Sequence, residues 1–433
     1  MNILIVTLGS RGDVQPYVAL GKGLQAAGHT VTVCTAASFE TFITEHGLRY
    51  GYLNNELLDL MDTAEGRAAM EEAVGVFGSV KTMIKLAKES SRIYRQILKE
   101  TWAAAQAAEP DLIIYHPKAF GVPHIAEKLG IPAILTASVP MIVPTAAMPP
   151  IGIPALKLGG GYNKLGYKLI TMGYSSYRGM INTFREETLG LGKLPRSQDV
   201  LTEVSGQPVP VLHAYSQHMI PRPHDWPDYA HVNGFWFLDD AENWQPAAEL
   251  QAFLDAGDPP VYVGFGSMAG RNPDKLARTV IRALQQANVR GIIATGWGGL
   301  QAGDLPETIF KIDQAPHDWL FPRVAAVVHH GGAGTTAEGL RAGVPAVTVP
   351  FVLDQPFWGA RIKALGVGPE PVPRKNLTVD RLAAAISQAV TDPAMRQRAA
   401  ACGAAIRAEE GVGNAVALIQ RYLAAPSEGT QSP

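Results

Sequence analysis

Apolar stretches rich in β-branched residues alternate with amphipathic segments along the chain, and this alternation occurs twice. The first half predicts a helix over Pro16–Ala27 and strands at Ile3–Thr7, Val31–Thr35, Leu112–Tyr115 and Ala133–Thr136. The second half predicts helices over Asp274–Ala287 and Thr335–Ala342 and strands at Val261–Phe265, Gly291–Thr295, Ile309–Ile312, Ala325–Val328 and Ala346–Val349. Strands that alternate with helices are typical of parallel sheets built from βαβ units. The sequence therefore predicts an α/β protein.

The length of the chain supports two domains. Single hydrophobic cores stop growing near about 250–300 residues, and this chain has 433. A proline-rich join around Pro221–Pro246 separates the two alternating patterns. We predict an N-terminal domain over residues 1–225 and a C-terminal domain over 240–425. Both are expected to be doubly wound and to face each other across a cleft, with chemistry in the loops that follow the strands.

Composition narrows the class of protein. The net charge of −2 provides no overall cationic field for nucleic acid. The two cysteines, Cys34 and Cys402, cannot form a disulfide framework, and the N-terminal residues lack a secretory signal, so we expect a cytoplasmic protein. The uncharged stretch 129–156 contains six prolines and is not predicted to span a membrane.

A glycine-rich turn follows the strand that ends near Val328. His329 and His330 precede Gly331-Gly332-Ala333-Gly334, and a helix begins at the threonines Thr335 and Thr336. Glycines let a backbone approach an anion closely, and the N-terminus of a helix favours phosphate. A tight turn with Thr335 as the helix cap is the structural alternative.

Three further loops follow predicted strands at the same edge of the second sheet. Asp354 and Gln355, which lie among aromatic residues, suit vicinal hydroxyl groups, although Asp-Gln-Pro alone is an ordinary turn. Ser267 can donate to a phosphate or cap the next helix, and the backbone at Ala315 can hold a base. Together these loops indicate a nucleotide-sugar site.

These motifs resemble the family-1 nucleotide-sugar glycosyltransferases. The resemblance is carried by Gly9-Ser10-Arg11-Gly12-Asp13, Gly296-Trp297-Gly298-Gly299-Leu300, Pro316-His317-Asp318-Trp319-Leu320, His330-Gly331-Gly332-Ala333-Gly334-Thr335-Thr336 and Asp354-Gln355. The branch of sterol 3-β-glucosyltransferases and related bacterial aglycone glycosyltransferases is the most similar. The resemblance implies a GT-B fold with two Rossmann-like domains, and an inverting enzyme that uses neither a metal nor a cofactor.

The resemblance also implies roles for individual residues. His330 would contact the α-phosphate of a UDP-sugar, Gly332, Gly334 and Thr335 would form the phosphate turn, and Asp354 and Gln355 would bind the sugar. Ser267 would assist the pyrophosphate, and the backbone near Ala315 would hold the base. Leu353 stands where the family's pattern has glycine, so the sugar stays open between glucose and a TDP-linked deoxysugar.

Asp13 is the candidate general base. We place it in the loop after the first strand, before a helix that begins at Pro16. A carboxylate that takes the proton of an acceptor hydroxyl accelerates transfer by about 10²–10⁴-fold. Capping of the helix by Ser10 or Asp13 is the structural alternative.

Two segments are candidates for contact with a hydrophobic, hydroxylated acceptor and its surroundings. The proline-rich stretch 139–154 carries Met141, Ile142 and Met148, which suit a flat apolar acceptor, although ordinary loop packing explains them as well. A helix between Phe77 and Trp102 carries one basic stripe, formed by Lys81, Lys85, Lys88, Arg92, Arg95 and Lys99. This stripe is either a solvated face or a contact with an anionic membrane.

The function predicted from these features is transfer of a hexosyl group, glucose from UDP-glucose, to a sterol-like or polycyclic acceptor. Transfer from a TDP- or UDP-sugar to a phenolic or antibiotic aglycone is an alternative. A nucleotide-sugar epimerase and a nucleotide-binding module without catalysis are further alternatives. A dinucleotide oxidoreductase is disfavoured, because the first glycine turn lacks the Gly-x-Gly-x-x-Gly pattern.

Overall fold

The computed structural model describes residues 1–63, 80–266, 273–294 and 305–424 of the chain. The chain divides into two units. Unit 1 comprises Met1–Leu238 together with the C-terminal segment that begins at Glu410, and unit 2 comprises Asp239–Glu409. The predicted α/β class is confirmed, because both units contain a parallel sheet with helices between the strands.

Unit 1 is built on a parallel sheet with the strand order β3-β2-β1-β4-β5-β8-β9. Its strands are β1 Asn2–Val6, β2 Thr30–Ala36, β3 Arg49–Leu53, β4 Leu112–Tyr115, β5 Ala133–Ala137, β8 Val211–His213 and β9 Ala230–Val232, and a short antiparallel pair, β6 Glu203–Val204 and β7 Gln207–Pro208, lies outside this sheet. The helices described in this unit are α1 Arg11–Ala26, α2 Glu40–Glu45, α3 Glu56–Asp62, α4 Val80–Ala108, α5 Val122–Leu129, α6 Gly160–Ser175, α7 Arg178–Phe184 and, after unit 2, α15 Gly411–Ala424. The central strands are almost entirely apolar, as expected when helices cover both faces of a sheet.

Helix α1 begins five residues earlier than the sequence predicted. Its first residue is Arg11, so Asp13 lies in the first turn of the helix and not in the preceding loop. The Asp13 carboxylate accepts a hydrogen bond from the Ser10 N–H at 2.8 Å, which caps the free end of the helix. Because the helix is already started by this cap, Pro16 stands inside it and not at its beginning.

Unit 2 contains a second parallel sheet, with the order β12-β11-β10-β13-β14. Its strands are β10 Val261–Gly264, β11 Gly291–Ala294, β12 Ile309–Ile312, β13 Ala326–His329 and β14 Ala346–Thr348. Its helices, within the ranges described, are α8 Ala248–Asp255, α9 Pro273–Gln286, α10 His317–Leu320, α11 Ala333–Ala342, α12 Gln355–Ala364, α13 Val379–Thr391 and α14 Pro393–Arg407. A buried cluster that includes Val263, Val328 and Ile386 forms the core between the sheet and helices α9 and α13.

The last helix, α15, belongs to unit 1. Ala415, Val416, Leu418 and Ile419 join the buried cluster of unit 1. A Cβ atom added to Gly23 of α1 would lie only 2.4 Å from Val412 Cγ1, so α1 and α15 pack closely. The predicted second domain, 240–425, therefore extends too far: it ends at Glu409, because the apolar face of α15 completes the first core and not the second.

No helix among the residues described is both long enough and apolar enough to cross a membrane.

Replacement of Ile419 by alanine should lower the free energy of unfolding by about 2–5 kcal/mol, because this side chain is fully buried. Native-state hydrogen exchange should show lost protection at Val18 and Leu24 of α1. The amides of Val280 and Leu284 in α9 should keep theirs, since they lie in unit 2. Gln420→Ala, one residue away on the exposed face, is the control. Lost protection in α9 with α1 unaffected would contradict the assignment of α15 to unit 1.

Candidate functional site

The loops after β1 and β4 bring three charged or titratable side chains together in unit 1. These strands are neighbours, and the strand order reverses between them, which is where ligands bind in open parallel sheets. Asp13 follows β1, whereas His116 and Lys118 follow β4. The result is a compact polar site at one edge of an apolar sheet.

The Asp13 carboxylate has partners on both oxygens. Its Oδ2 atom accepts hydrogen bonds from the Ser10 N–H at 2.8 Å and the Ser10 hydroxyl at 3.2 Å. Its Oδ1 atom accepts from Lys118 Nζ at 3.2 Å and lies 3.5 Å from His116 Nε2. The Asp13 side chain remains 23% exposed, so it is not completely sealed from solvent.

The charge of Asp13 is set by two opposing effects. Burial raises its pKa, but the positive charge of Lys118 and the hydrogen bonds from Ser10 and Lys118 bring the pKa below its ordinary value. Asp13 is therefore ionised at neutral pH. Its pairing with Lys118 keeps the carboxylate deprotonated and at the same time makes it a weaker base.

His116 is neutral beside this ion pair. Burial and the nearby charge of Lys118 lower the pKa of His116 to about 3. Its Nδ1 atom accepts a hydrogen bond from the Lys118 N–H at 3.2 Å. In the neutral ring this assigns the remaining proton to Nε2, the atom that faces Asp13.

The corresponding reversal of strand order in unit 2 lies between β10 and β13. The loops after these strands approach each other: a Cβ atom added to Gly266 would lie 4.0 Å from the His330 ring. His329 is the last residue of β13 and is fully buried, and its Nδ1 atom accepts from the Gly331 N–H at 3.1 Å. This bond fixes the start of the glycine turn.

The glycine turn needs glycine at two positions for different reasons. Gly331 has φ +91°, and a Cβ atom there would lie 3.0 Å from the Gln355 carbonyl oxygen. At Gly332 a Cβ atom would lie 2.5 Å from His330 Nε2. The missing side chains therefore keep the His330 ring and the backbone of α12 close to the turn.

Polar groups at the turn are available to an anion. Burial lowers the pKa of His330 to about 4, so its ring is neutral and donates one N–H. Gly334 and Thr335 occupy the first turn of α11, where backbone N–H groups have no partner within the helix. The dipole of α11 adds partial positive charge at this end. The arrangement is suited to a phosphate group.

Asp354 and Gln355 begin α12 in the loop after β14. The Gln355 Oε1 atom accepts from the N–H groups of Phe351 and Val352 at 2.8 and 3.1 Å. Asp354 Oδ2 accepts from the indole N–H of Trp358 at 2.8 Å. Both side chains thus hold the loop in shape. Gln355 is buried with 4% exposure, and the remaining hydrogen-bonding groups of its side-chain amide are donors.

Leu353, directly before this pair, has φ +60° and is 53% exposed. A leucine in the left-handed region is strained, whereas glycine adopts it freely. The left-handed backbone at position 353 therefore favours glycine, the residue that the family's pattern has there.

Comparison with known proteins places the chain in a family. A sterol 3-beta-glucosyltransferase of Arabidopsis thaliana is 36% identical over 445 residues, which cover 100% of this chain and 67% of the relative. The chain belongs to the sterol 3-beta-glucosyltransferase family. The resemblance inferred from the motifs is confirmed.

Other comparisons agree with this family. A sterol 3-beta-glucosyltransferase of Aspergillus clavatus is 37% identical over 98% of this chain, but the chain spans only 30% of the length of that relative. The model of the glycosyltransferase family 28 N-terminal domain matches residues 3–148, and that of the erythromycin biosynthesis protein CIII-like C-terminal domain matches residues 288–412.

The fold is also shared with solved structures. The crystal structure of the glycosyltransferase of kitacinnamycin matches with a TM-score of 0.71 and 20% identity, over 97% of this chain and 98% of the other. The predicted GT-B fold, with two Rossmann-like domains, is confirmed.

The remaining predicted site residues of this family member lie in different environments. Met141 and Met148 are half-buried, whereas Ile142 is buried with only 9% of its surface exposed, which favours a packing role for it. Ala315 is half-buried and precedes α10 in the loop after β12. Ser267 and the segment Gly296–Leu300 lie outside the described residues. The roles of all these residues stay predictions.

The sequence analysis did not single out three titratable residues that the structure shows beside charged partners. His116 and Lys118 follow a predicted strand directly, so the rule that selected Asp13 would have selected them as well. Glu338, on α11, is buried beside Arg341, and burial raises its pKa to about 8. Its signal was a single acidic residue in an otherwise uncharged, glycine-rich stretch.

The described residues contain no group of three or more histidine, cysteine, aspartate or glutamate side chains placed to hold a metal ion.

Replacement of Lys118 by methionine should raise the pKa of Asp13 above its wild-type value, because burial persists while the compensating cation is lost. A carbon-13 NMR titration of the carboxyl group measures this directly. In the wild type the ion pair stabilises the fold above the ordinary aspartate pKa, and this contribution is lost as the pH falls through the lowered one. Lys22→Met, on the exposed side of α1, is the control. An unchanged titration in the Lys118 variant would contradict the electrostatic assignment.

Replacement of Gly331 by alanine should lower the free energy of unfolding by about 1–3 kcal/mol, since it combines a left-handed φ with a contact to the backbone of Gln355. Gly334→Ala is the matched control, because a Cβ atom there meets nothing within 4 Å. Within the first turn of α11, alanine should be neutral or stabilising by up to about 1 kcal/mol. Equal effects of the two variants in urea unfolding would rule out this geometric account of the turn.

Proposed function

We propose that this protein transfers a hexosyl group, glucose from UDP-glucose, to the hydroxyl group of a sterol-like or polycyclic acceptor and forms a β-glycoside. The observation that carries the proposal is the identity of 36% with the Arabidopsis sterol 3-beta-glucosyltransferase across the entire chain. The polar sites at the strand-order reversals of both units support it.

Activation of the acceptor is assigned to Asp13 in this proposal. As the acceptor oxygen forms a bond to the anomeric carbon, its proton passes to the Asp13 carboxylate. Lys118 supports the role because it keeps that carboxylate deprotonated before the reaction. His116, which is neutral and directs Nε2 towards Oδ1, would orient the carboxylate. Attack on the face opposite to the leaving group inverts the anomeric centre.

Departure of the nucleoside diphosphate is assigned to the glycine turn of unit 2. The bond from the anomeric carbon to the phosphate oxygen breaks, and the leaving oxygen takes the electron pair. His330 and the backbone N–H groups of Gly334 and Thr335 would stabilise this charge, helped by the dipole of α11. In this proposal the nucleotide sugar is a co-substrate, and the reaction uses neither a cofactor nor a metal, so activity should survive a chelator.

Recognition of the sugar is assigned to the loop that begins α12. Because the Oε1 atom of Gln355 is occupied by two backbone N–H groups, Gln355 would act as a donor to a sugar hydroxyl. Asp354, held by Trp358, would accept hydrogen bonds from vicinal hydroxyl groups. A sterol-like acceptor dissolves in lipid, so the proposal includes peripheral contact with an anionic membrane.

Mass spectrometry of products from UDP-glucose and detergent-dispersed cholesterol tests the proposal. The wild type should add one anhydrohexose unit to the sterol. Asp13→Asn should lower the rate by about 10²–10⁴-fold, because it removes the proton acceptor while keeping the shape of the side chain.

Binding of UDP, measured by calorimetry, should be unchanged in this variant, because Asp13 belongs to unit 1 and the glycine turn to unit 2. Full activity of Asp13→Asn would remove Asp13 from the mechanism. A new UDP-sugar formed without acceptor would identify an epimerase instead. If the sterol stayed unreacted but a sugar were transferred from a TDP-sugar to a phenolic acceptor, the protein would be an aglycone glycosyltransferase.

A further inference from the structure

Helix α6 of unit 1 exposes a row of large apolar side chains. Leu165, Leu169 and Met172 are 54%, 51% and 67% exposed, and their spacing of four and three residues places them on one face of the helix. Leu156 and Leu158, shortly before the helix, are 53% and 65% exposed. These five residues, called the α6 apolar surface below, make up most of the exposed large hydrophobic side chains among the residues described.

The opposite face of α6 anchors the helix to unit 1. Tyr167 is buried with 1% exposure, and Asn163 Nδ2 donates to the Ala146 carbonyl at 2.8 Å. Gly166 packs against Pro150, where a Cβ atom would approach within 2.7 Å of Cδ. Leu165 is two residues from Asn163 and from Tyr167, about 200° around the helix. The exposed row therefore points away from the core of unit 1, because the other side of the helix is packed against this unit.

The charge around the α6 apolar surface is entirely positive along the chain. No aspartate or glutamate occurs between Glu127 and Glu186, while Lys157, Lys164 and Lys168 lie within or beside the surface. Lys164 forms an ion pair with Asp225 at 3.5 Å, so that Lys157 and Lys168 are the principal cations. All three lysines are exposed, and their long side chains can reach past the apolar row.

We propose that the α6 apolar surface docks on an anionic lipid bilayer, with the leucines and Met172 inserted at the interface and Lys157 and Lys168 on the lipid headgroups. An exposed apolar row beside lysines on a helix is the pattern of interfacial binding. This inference deepens the proposed function, whose acceptor resides in lipid, but its evidence is separate from the catalytic residues.

The basic stripe of α4 is less suited to this role than the sequence indicated. Arg92 forms an ion pair with Glu56, and Arg95 lines a cavity between α4 and α7. Side chains of Lys81, Lys85 and Lys88 lie outside the described residues. Among the described side chains of α4, Ile93, Ile97 and Leu98 are buried, and none of the large hydrophobic side chains found to be exposed lies on this helix.

Co-sedimentation with vesicles of phosphatidylcholine, with and without phosphatidylglycerol, tests the inference in the absence of donor and acceptor. The wild type should bind the anionic vesicles more tightly, and added salt should weaken binding. Leu165→Ser/Leu169→Ser/Met172→Ser should lower the partition coefficient by at least about tenfold, because the apolar area is removed. Lys157→Gln/Lys168→Gln should lower it by about fivefold for each lysine on anionic vesicles only.

Matched controls separate this surface from unspecific effects. Tyr52→Ser removes another exposed apolar side chain, at 55% exposure, and Lys22→Gln removes an exposed lysine of unit 1. Both should bind as the wild type does, and all variants should keep the wild-type melting temperature and circular dichroism. Equal vesicle binding by the wild type and the triple serine variant would overturn the inference. So would light scattering that shows a dimer broken by the triple variant without any lipid binding, because a second copy would then cover the surface.

Glucosyl transfer to detergent-dispersed cholesterol, measured on the same variants, keeps the two proposals apart. Transfer that fails while the wild type binds vesicles through the α6 apolar surface contradicts the proposed function alone. Transfer that persists in detergent while no variant changes vesicle binding contradicts the docking surface alone.

Discussion

In a parallel sheet, the loops that follow the strands all lie at the same edge. This constraint determines where chemistry can occur in both units. In unit 1 the pairing of Val6 with Tyr115 across β1 and β4 brings together loops that are about a hundred residues apart in sequence. In unit 2 the pairing of Gly264 with His329 does the same for the loops after β10 and β13. Sheet register, more than any local motif, places the candidate residues.

The ion pair between Asp13 and Lys118 shows how the fold adjusts one carboxylate to two demands. A carboxylate in partly buried surroundings tends towards its protonated form, in which it cannot accept a proton. The positive charge of Lys118 keeps Asp13 deprotonated, but it also lowers the basicity of the Asp13 carboxylate. The helix cap formed with Ser10 adds to both effects, so the capping and catalytic interpretations of Asp13 are compatible: Oδ2 serves the helix while Oδ1 faces the cation.

The strands were predictable because their buried β-branched runs are local signals, and Val261–Gly264 and Leu112–Tyr115 lie where the pattern placed them. The start of α1 was missed because Pro16 resembles a helix beginning, whereas a side-chain contact at Ser10 decides it. The partnership of Asp13 with Lys118 spans 105 residues, so no local pattern reveals it. The glycine turn was recognisable from its amino-acid sequence. The glycines are needed because His330 and Gln355 approach the turn closely, and this approach depends on tertiary packing.

The return of α15 to unit 1 has a consequence for the order of events during synthesis. Residues 1–238 are synthesised before unit 2, but their core lacks Ala415, Leu418 and Ile419 until unit 2 has been made. Unit 2 is continuous and can acquire its native contacts earlier, although it begins later. Domains usually finish folding in order from the N-terminus, whereas here unit 2 can finish before unit 1. Until α15 is synthesised, the nascent unit 1 carries an open apolar face.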